Sequence, residues 1–412
     1  MTRSSSSIGK VQTRFFEFSD AQNPMRLQCG TELDHFTLAY EIYGELNAAR
    51  SNVILLFHAM TGSQHAAGFN KHVPGLDGRW TEELHEGWWD GFIGPGKALD
   101  TRKYAIICAN YLGGCYGSTG PASINPATGK PWGHSFPVLR ISDIVDSQVK
   151  LLDHLGVQKL HAVVGSSLGG FLSLSFATRY PERAGIVIPI GSGPETTMLQ
   201  RIMNFEQITA IESDPHFRGG DHYDGPRPEV GLALARRIAH KTFISLEALK
   251  QRARDEVVSD APPFGWYAMN SPVESYMLHQ GRKFVHRFDA NSYLRILDAW
   301  QWFDLLAESG AADCVELFSR CQKQEFLVFS IDSDAAFPTQ EQAHLVKYLK
   351  AAHVPVIWIT VHSDKGHDSF LIEPHLFAPH VSQALNHRKP APAKRPARPK
   401  RIKLTGDIPA ME

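Results

Sequence analysis

A serine flanked by glycines, two aspartates after one apolar run and two histidines after the next are the side chains best able to do covalent chemistry in this chain. Ser167 is the centre of Gly165-Ser-Ser-Leu-Gly169, a G-x-S-x-G spacing that follows the apolar run 161–164 and precedes a helical pattern. Small neighbours let a serine occupy a tight strand-to-helix turn. Such a turn lifts the hydroxyl out of a sheet and aims the next backbone N–H at an oxyanion. The hydroxyl needs a base to take its proton, and the base needs an acid to hold its tautomer. Downstream, D-S-D-A-A-F-P after residues 326–331 offers Asp332 and Asp334. Then V-H-S-D-K-G-H-D after residues 356–360 offers His362 and His367. The order serine, acid, histidine points to acyl transfer through a covalent acyl-enzyme. Asp334 is the preferred acid because it lies farther past its run, where a loop can reach an imidazole. His367 is the preferred base because it sits in a flexible G-H-D turn ahead of an apolar helix. A second oxyanion donor is expected from the small-residue loop 58–68, H-A-M-T-G-S-Q-H-A-A-G, with Met60 paired with Leu168.

Positioning these groups requires a sheet. Apolar runs at 53–57, 104–108, 161–164, 185–188, 326–331 and 356–360 are bounded by turn residues and separated by mixed segments, as in a parallel sheet buried on both faces. Helical periodicity at 143–155 and 172–180 brackets a strand, giving βαβ units. Residues 15–43 read as an antiparallel start. From 196 to 306 the pattern turns helical, with one Gly/Asp/Pro-rich loop at 218–228. That region is expected to be a helical lid inserted in a core made of 13–195 and 307–385.

The 412 residues are 43% hydrophobic and 21% charged, ordinary for a globular protein with a sizeable core. The net charge of −1 conceals a basic Pro/Ala-rich end, 386–412, with eight Lys/Arg and no acid between Arg388 and Lys403. Its composition reads as a disordered extension, and without interleaved aromatics no nucleic-acid partner is expected. Five cysteines without C-x-x-C argue against a disulfide framework and against a metal site. With no secretory h-region and no run long enough to span a membrane, a cytoplasmic protein with no membrane partner is expected.

Several loops together resemble homoserine O-acetyltransferases. They are H-A-M-T-G-S-Q-H-A-A-G, G-W-W-D-G-F-I-G-P-G-K-A-L-D-T (87–101), N-Y-L-G-G-C-Y-G-S-T-G-P-A-S-I-N-P-A-T-G-K-P-W-G (110–133), R-F-D-A-N-S-Y-L (287–294) and G-H-D-S-F-L (366–371). The resemblance spans about residues 13–385. It implies an α/β-hydrolase fold, with a mostly parallel central sheet, flanking helices and an inserted helical lid, and a homodimer formed through that lid. It implies acetyl-CoA as co-substrate, no bound cofactor, and ping-pong transfer of acetyl to the hydroxyl of L-homoserine in methionine biosynthesis. By motif position Ser167, Asp334 and His367 would be catalytic. Thr61, Arg236 and Asp368 match positions linked to the amino-acid substrate, Arg236 gripping a carboxylate and Asp368 an ammonium. Two positions depart from the family pattern: Ile208 replaces an arginine and Phe243 a tyrosine, which removes two polar groups from a lid pocket. The donor stays open between acetyl and succinyl, and the acceptor between homoserine, serine, another alcohol and water. The alternatives are a carboxylic ester hydrolase on the same scaffold and a non-catalytic protein that kept the fold.

Overall fold

The computed structural model describes residues 7–76, 78–254 and 265–387. Eight strands form one sheet in the order β1-β4-β6-β5-β7-β8-β9-β10. The chain begins antiparallel, as its alternation predicts, with β1 (Arg14–Ser19) against β4 (His35–Tyr43), and β4 antiparallel to β6 (Ala105–Ala109). The short pair β2 (Met25–Arg26) and β3 (Glu32–Leu33) forms a separate ribbon between them. From β6 onward neighbours are parallel: β5 (Val53–Phe57), β7 (Leu160–Ser166), β8 (Ala184–Ile190), β9 (Glu325–Ile331) and β10 (Val356–Val361).

Alternate residues of the central strands enter two apolar layers. Leu55, Val163, Val187 and Val328 pack with α1 (Ile141–His154), α2 (Leu168–Arg179), α8 (Cys314–Ser319) and α9 (Thr339–Ala351). Leu56, Val164, Ile188 and Phe329 pack with Trp89, Phe92, Phe370 and the final helix α11 (Ala378–His387), which follows the short α10 (Ser369–Ile372). Burial on both faces explains why these strands read as unbroken apolar runs. The run 356–360 is the exception. It forms a strand but lies at the sheet edge, where Ile357 and Trp358 are exposed, because among the described residues no further strand or full helical cover lies outside it.

The lid carries α3 (Met198–Glu212), α4 (Glu229–Phe243), α5 (Leu246–Ala253), α6 (Pro272–Val285) and α7 (Ala290–Gln301). Its two stems are stitched together, Thr196 N–H to the Phe303 carbonyl at 2.9 Å and Leu305 N–H to the Pro194 carbonyl at 3.0 Å. An insertion whose ends meet leaves the register of the strands on either side undisturbed. The basic stretch read as disordered lies, from residue 388, outside the described residues. Among the described residues no helix is long and apolar enough to cross a membrane.

Candidate active site

Between the last residue of β7 and the first of α2, Ser167 adopts φ 57° and ψ −126°, a left-handed conformation costly for a non-glycine residue. The neighbouring glycines are demanded by contact. A Cβ on Gly165 would lie 2.0 Å from the Gly169 carbonyl oxygen, and one on Gly169 would lie 2.3 Å from that of Phe57. The turn is fixed by Ser167 N–H donating to the Ile190 carbonyl at 2.9 Å. Ser167 thereby lines a cleft of about 250 Å³, with Met60, Thr61, Arg236, Phe243, Arg287, His367 and Asp368 also on its walls.

Asp334 follows β9 and has both carboxylate oxygens engaged. Oδ1 accepts from the N–H groups of Ala336 and Phe337, each at 2.8 Å, while Oδ2 accepts from His367 Nδ1 at 2.6 Å. This fixes the imidazole with its proton on Nδ1 and, among the described residues, leaves Nε2 without a hydrogen-bond partner, on a ring that shares the cleft with Ser167. Burial alone would lower the pKa of His367. The Asp334 charge and hydrogen bond, helped by Asp368, outweigh burial and raise it. The other two candidates also found each other: His362 Nδ1 lies 2.8 Å from Asp332 Oδ2, but at the surface and away from the cleft walls. The turn read as flexible is tied down on both sides. Gly366 N–H donates to Ser333 Oγ at 3.0 Å, Asp368 N–H to the Phe243 carbonyl at 2.8 Å, and Ser245 N–H to the Lys365 carbonyl at 3.3 Å. The last two bonds join the α4–α5 corner of the lid directly to the histidine turn.

The loop after β5 is held from below. His58 Nδ1 donates to the Ala59 carbonyl at 2.7 Å, its ring stacks on Tyr111, and burial keeps its pKa down at about 4, so the ring is neutral. The Tyr111 hydroxyl donates to the His58 carbonyl. Arg287 donates to the Thr61 carbonyl at 3.2 Å and the Tyr116 hydroxyl at 2.9 Å, and its Nε meets Glu83 at 3.1 Å. Among the described residues no protein acceptor takes the N–H of Met60 or of Leu168. Arg287 was not singled out as a site residue, although it opens the R-F-D-A-N-S-Y-L motif. Its role depends on a partner 226 residues away, which spacing does not reveal.

An alpha/beta hydrolase fold family model matches residues 52–374. A homoserine O-acetyltransferase of Solidesulfovibrio magneticus is 40% identical over 377 residues, 90% of this chain and 91% of that protein. The chain belongs to the homoserine O-acetyltransferase family. Among solved structures, a homoserine O-acetyltransferase from Bacillus anthracis is 28% identical with a TM-score of 0.81, covering 93% of this chain and 100% of that one. The esterase E22 is 25% identical with a TM-score of 0.80, covering 91% and 100%.

For an acyltransferase of this family the remaining walls are informative. Arg236 makes no ion pair or side-chain hydrogen bond among the described residues; its guanidinium lies 5.5 Å from the Phe243 ring centre and 5.0 Å from that of Phe284. Burial, then repulsion from Arg287, lowers its pKa, and burial raises that of Asp368. Among the described residues the cleft walls carry two guanidiniums and two carboxylates; Arg287 pairs with Glu83, which leaves Arg236 and Asp368 outside that ion pair. Of the two departures from the family pattern, only Phe243 lines this cleft. Ile208 packs on the apolar core and is not among the residues on the cleft wall. Among the described residues no cluster of three or more His, Cys, Asp or Glu side chains is placed to hold a metal ion.

Proposed function

We propose that this enzyme transfers acetyl from acetyl-CoA to the hydroxyl of L-homoserine, a methionine-biosynthetic step, through an acyl-Ser167 intermediate. Ser167 Oγ attacks the thioester carbonyl while His367 Nε2 takes its proton. The N–H groups of Met60 and Leu168 stabilise the oxyanion, and Asp334 stabilises the imidazolium that forms. Collapse breaks the C–S bond and the imidazolium returns the proton to the departing thiolate. His367 then deprotonates the incoming hydroxyl, which attacks the acyl-serine; collapse breaks the Oγ–acyl bond, the imidazolium returns the proton to Ser167 Oγ, and the O-acetyl product leaves.

The observation carrying the acceptor assignment is the pair of opposite charges beside the nucleophile. Arg236 can hold the carboxylate and Asp368 the ammonium of an amino acid, with Thr61 beside them on the same wall. The test follows thiol release from acetyl-CoA with and without L-homoserine, alongside p-nitrophenyl acetate hydrolysis. Homoserine-dependent release supports the transferase. Fast ester hydrolysis indifferent to homoserine and CoA supports the second reading, a carboxylic ester hydrolase, which the overall likeness to esterase E22 keeps in view.

A homodimer through the lid is also proposed. Met198, Ile202 and Phe205 on α3, with Val230 on α4, form an exposed apolar row, each more than half accessible. Light scattering should find a dimer that Phe205→Glu dissociates; a wild-type monomer would refute it. Acyl-CoA chemistry with unpaired thiols suits a cytoplasmic enzyme.

A further inference from the structure

A carboxylate inside β4 takes no part in the mechanism above. Glu41 is completely buried, and acids are rarely so unless their oxygens are partnered. Both oxygens are engaged twice. Oε1 accepts from the Thr13 hydroxyl at 2.8 Å and from Asn70 Nδ2 at 3.1 Å. Thr13 Oγ1 itself accepts from Gln64 Nε2 and Asn70 Nδ2, each at 3.2 Å, so its own proton points at Glu41. Oε2 meets the Tyr43 hydroxyl at 2.8 Å and His65 Nδ1 at 2.9 Å. His65 Nε2 lies 3.1 Å from the His85 carbonyl, which can only accept, so that nitrogen carries a proton.

These partners converge on one stretch of backbone. Gln64 and His65 belong to the loop that follows β5 and carries Met60. The Tyr43 hydroxyl accepts from Ala66 N–H at 2.6 Å and lies 2.8 Å from the Gln64 carbonyl. One residue earlier, Trp88 Nε1 donates to the Ser63 carbonyl at 2.9 Å. The other end of the loop is closed by Gly62 N–H, which donates to the Ala59 carbonyl at 2.9 Å beside the buried His58. Met60 and Thr61 form the arch between these footings. A donor N–H on such an arch is placed only as accurately as its footings are held, and a misplacement of about 1 Å costs a large factor in rate.

We propose that Glu41 is a positioning residue for acylation: through Tyr43, Thr13 and His65 it fixes residues 63–66 and so aims the Met60 N–H at the oxyanion. Glu41 is not on the cleft wall and touches no reacting atom. The inference rests on the acyl-Ser167 reading and its use of Met60, and is independent of which acceptor takes the acyl group. Glutamine fits this place without stranding a partner. Its Oε1 keeps the Thr13 and Asn70 donors, and its NH2 group serves the Tyr43 oxygen and His65 Nδ1. The His65 proton then stays on Nε2, and Tyr43 gives its own to the Gln64 carbonyl. Leucine instead strands the buried donors that Glu41 accepts.

The test measures, by p-nitrophenyl acetate burst, the acylation rate constant and the ester concentration that half-saturates it. The full-length proteins are wild type, Glu41→Gln, Glu41→Leu and Tyr43→Phe, with circular dichroism to verify folding. Trifluoroacetone, whose tetrahedral adduct with Ser167 presents an oxyanion, is the second probe. Glu41→Leu and Tyr43→Phe should lower the rate constant about ten- to hundredfold, somewhat less than outright loss of an oxyanion donor, with half-saturation little changed. Affinity for trifluoroacetone should fall in the same proportion. Glu41→Gln should return the rate constant to within about fivefold of wild type. A role in folding alone would lower Tm and leave acylation per folded molecule and trifluoroacetone affinity as in the wild type. That result in Tyr43→Phe overturns the proposal, as does a Glu41→Gln protein as slow as Glu41→Leu. If Glu41→Leu does not fold, Tyr43→Phe decides. Failure of the transferase reading shows separately, as no homoserine-dependent thiol release, and leaves the ester and ketone measurements to decide. A wild type that neither hydrolyses the ester nor forms the adduct overturns the acyl-Ser167 reading and this proposal with it.

Discussion

Asp334→Asn should leave the protein folded and disable it, for a reason visible in the hydrogen bonds. Oδ1 of Asp334 accepts from two backbone N–H groups at 2.8 Å, so an asparagine must place its carbonyl oxygen there. Its NH2 group then faces His367 Nδ1, 2.6 Å away in the wild type. Two donors cannot face each other, so Nδ1 loses its proton and Nε2 gains it. The nitrogen that must accept the Ser167 proton becomes a donor, and the imidazolium loses its counter-charge. Locking the wrong tautomer costs about 10⁴-fold in kcat, equivalent to about 5 kcal/mol of transition-state stabilisation. The assay is the acylation burst with p-nitrophenyl acetate and thiol release from acetyl-CoA, with circular dichroism to verify folding. Asp332→Asn is the control, since Asp332 meets His362 and Ser363 N–H away from the cleft, and its rate should stay within about twofold. If Asp334→Asn kept activity within about tenfold of wild type while Asp332→Asn lost it, the acid would be Asp332 and the reasoning would fail.

Acylation should increase with pH as His367 loses its proton, with a midpoint above the ordinary 6.5 because Asp334 raises it; a rate that fell with pH across that range would count against His367 as base. Arg236→Ala should raise KM for homoserine about ten- to hundredfold, with the p-nitrophenyl acetate burst nearly unchanged; equal loss in both would mean Arg236 supports the fold and not the acceptor. Among the described residues both buried carboxyl oxygens of Glu308 lack hydrogen-bond partners, and burial raises its pKa from 4.5 to about 7. Its raised folded-state value means stability falls as pH climbs from the unfolded pKa through the folded one. Glu308→Gln should therefore raise Tm clearly at about pH 8 and little at about pH 5, as calorimetry can check; equal gains at both would contradict a titrating cause. Removing residues 388–412 should leave turnover unchanged, because the serine, the histidine and the charged groups of the cleft all come from residues before 388, and a large drop in kcat would show otherwise.

The strands were legible because burial on both faces leaves an apolar run, and the serine turn because glycine is the only residue that fits at 165 and 169. The choice of Asp334 over Asp332 was harder to read. Both aspartates found a histidine, and only the packing of Phe337 and Phe370 around His367 separates the cleft pair from the surface pair. Arg287 and Tyr111 escaped notice because what they do is hold carbonyls of a loop distant in sequence. The edge position of β10 and the seating of Ile208 outside the cleft are likewise tertiary facts. Neither alternation nor motif position carries information about which neighbour ends up alongside.

The bonds from the α4–α5 corner to the turn bearing His367 have a mechanical meaning. Phe243 and Ser245 grip both sides of that turn and Arg236 lies on the same helix as Phe243, so on the proposed function the element that would meet the acceptor is tied to the element that would carry the proton. On the proposed function, a displacement of α4 by an arriving amino acid would pull on the turn that carries the imidazole. If the proposed roles hold, substrate choice and base placement ride on a single lever, and a change that loosens one should be audible in the other.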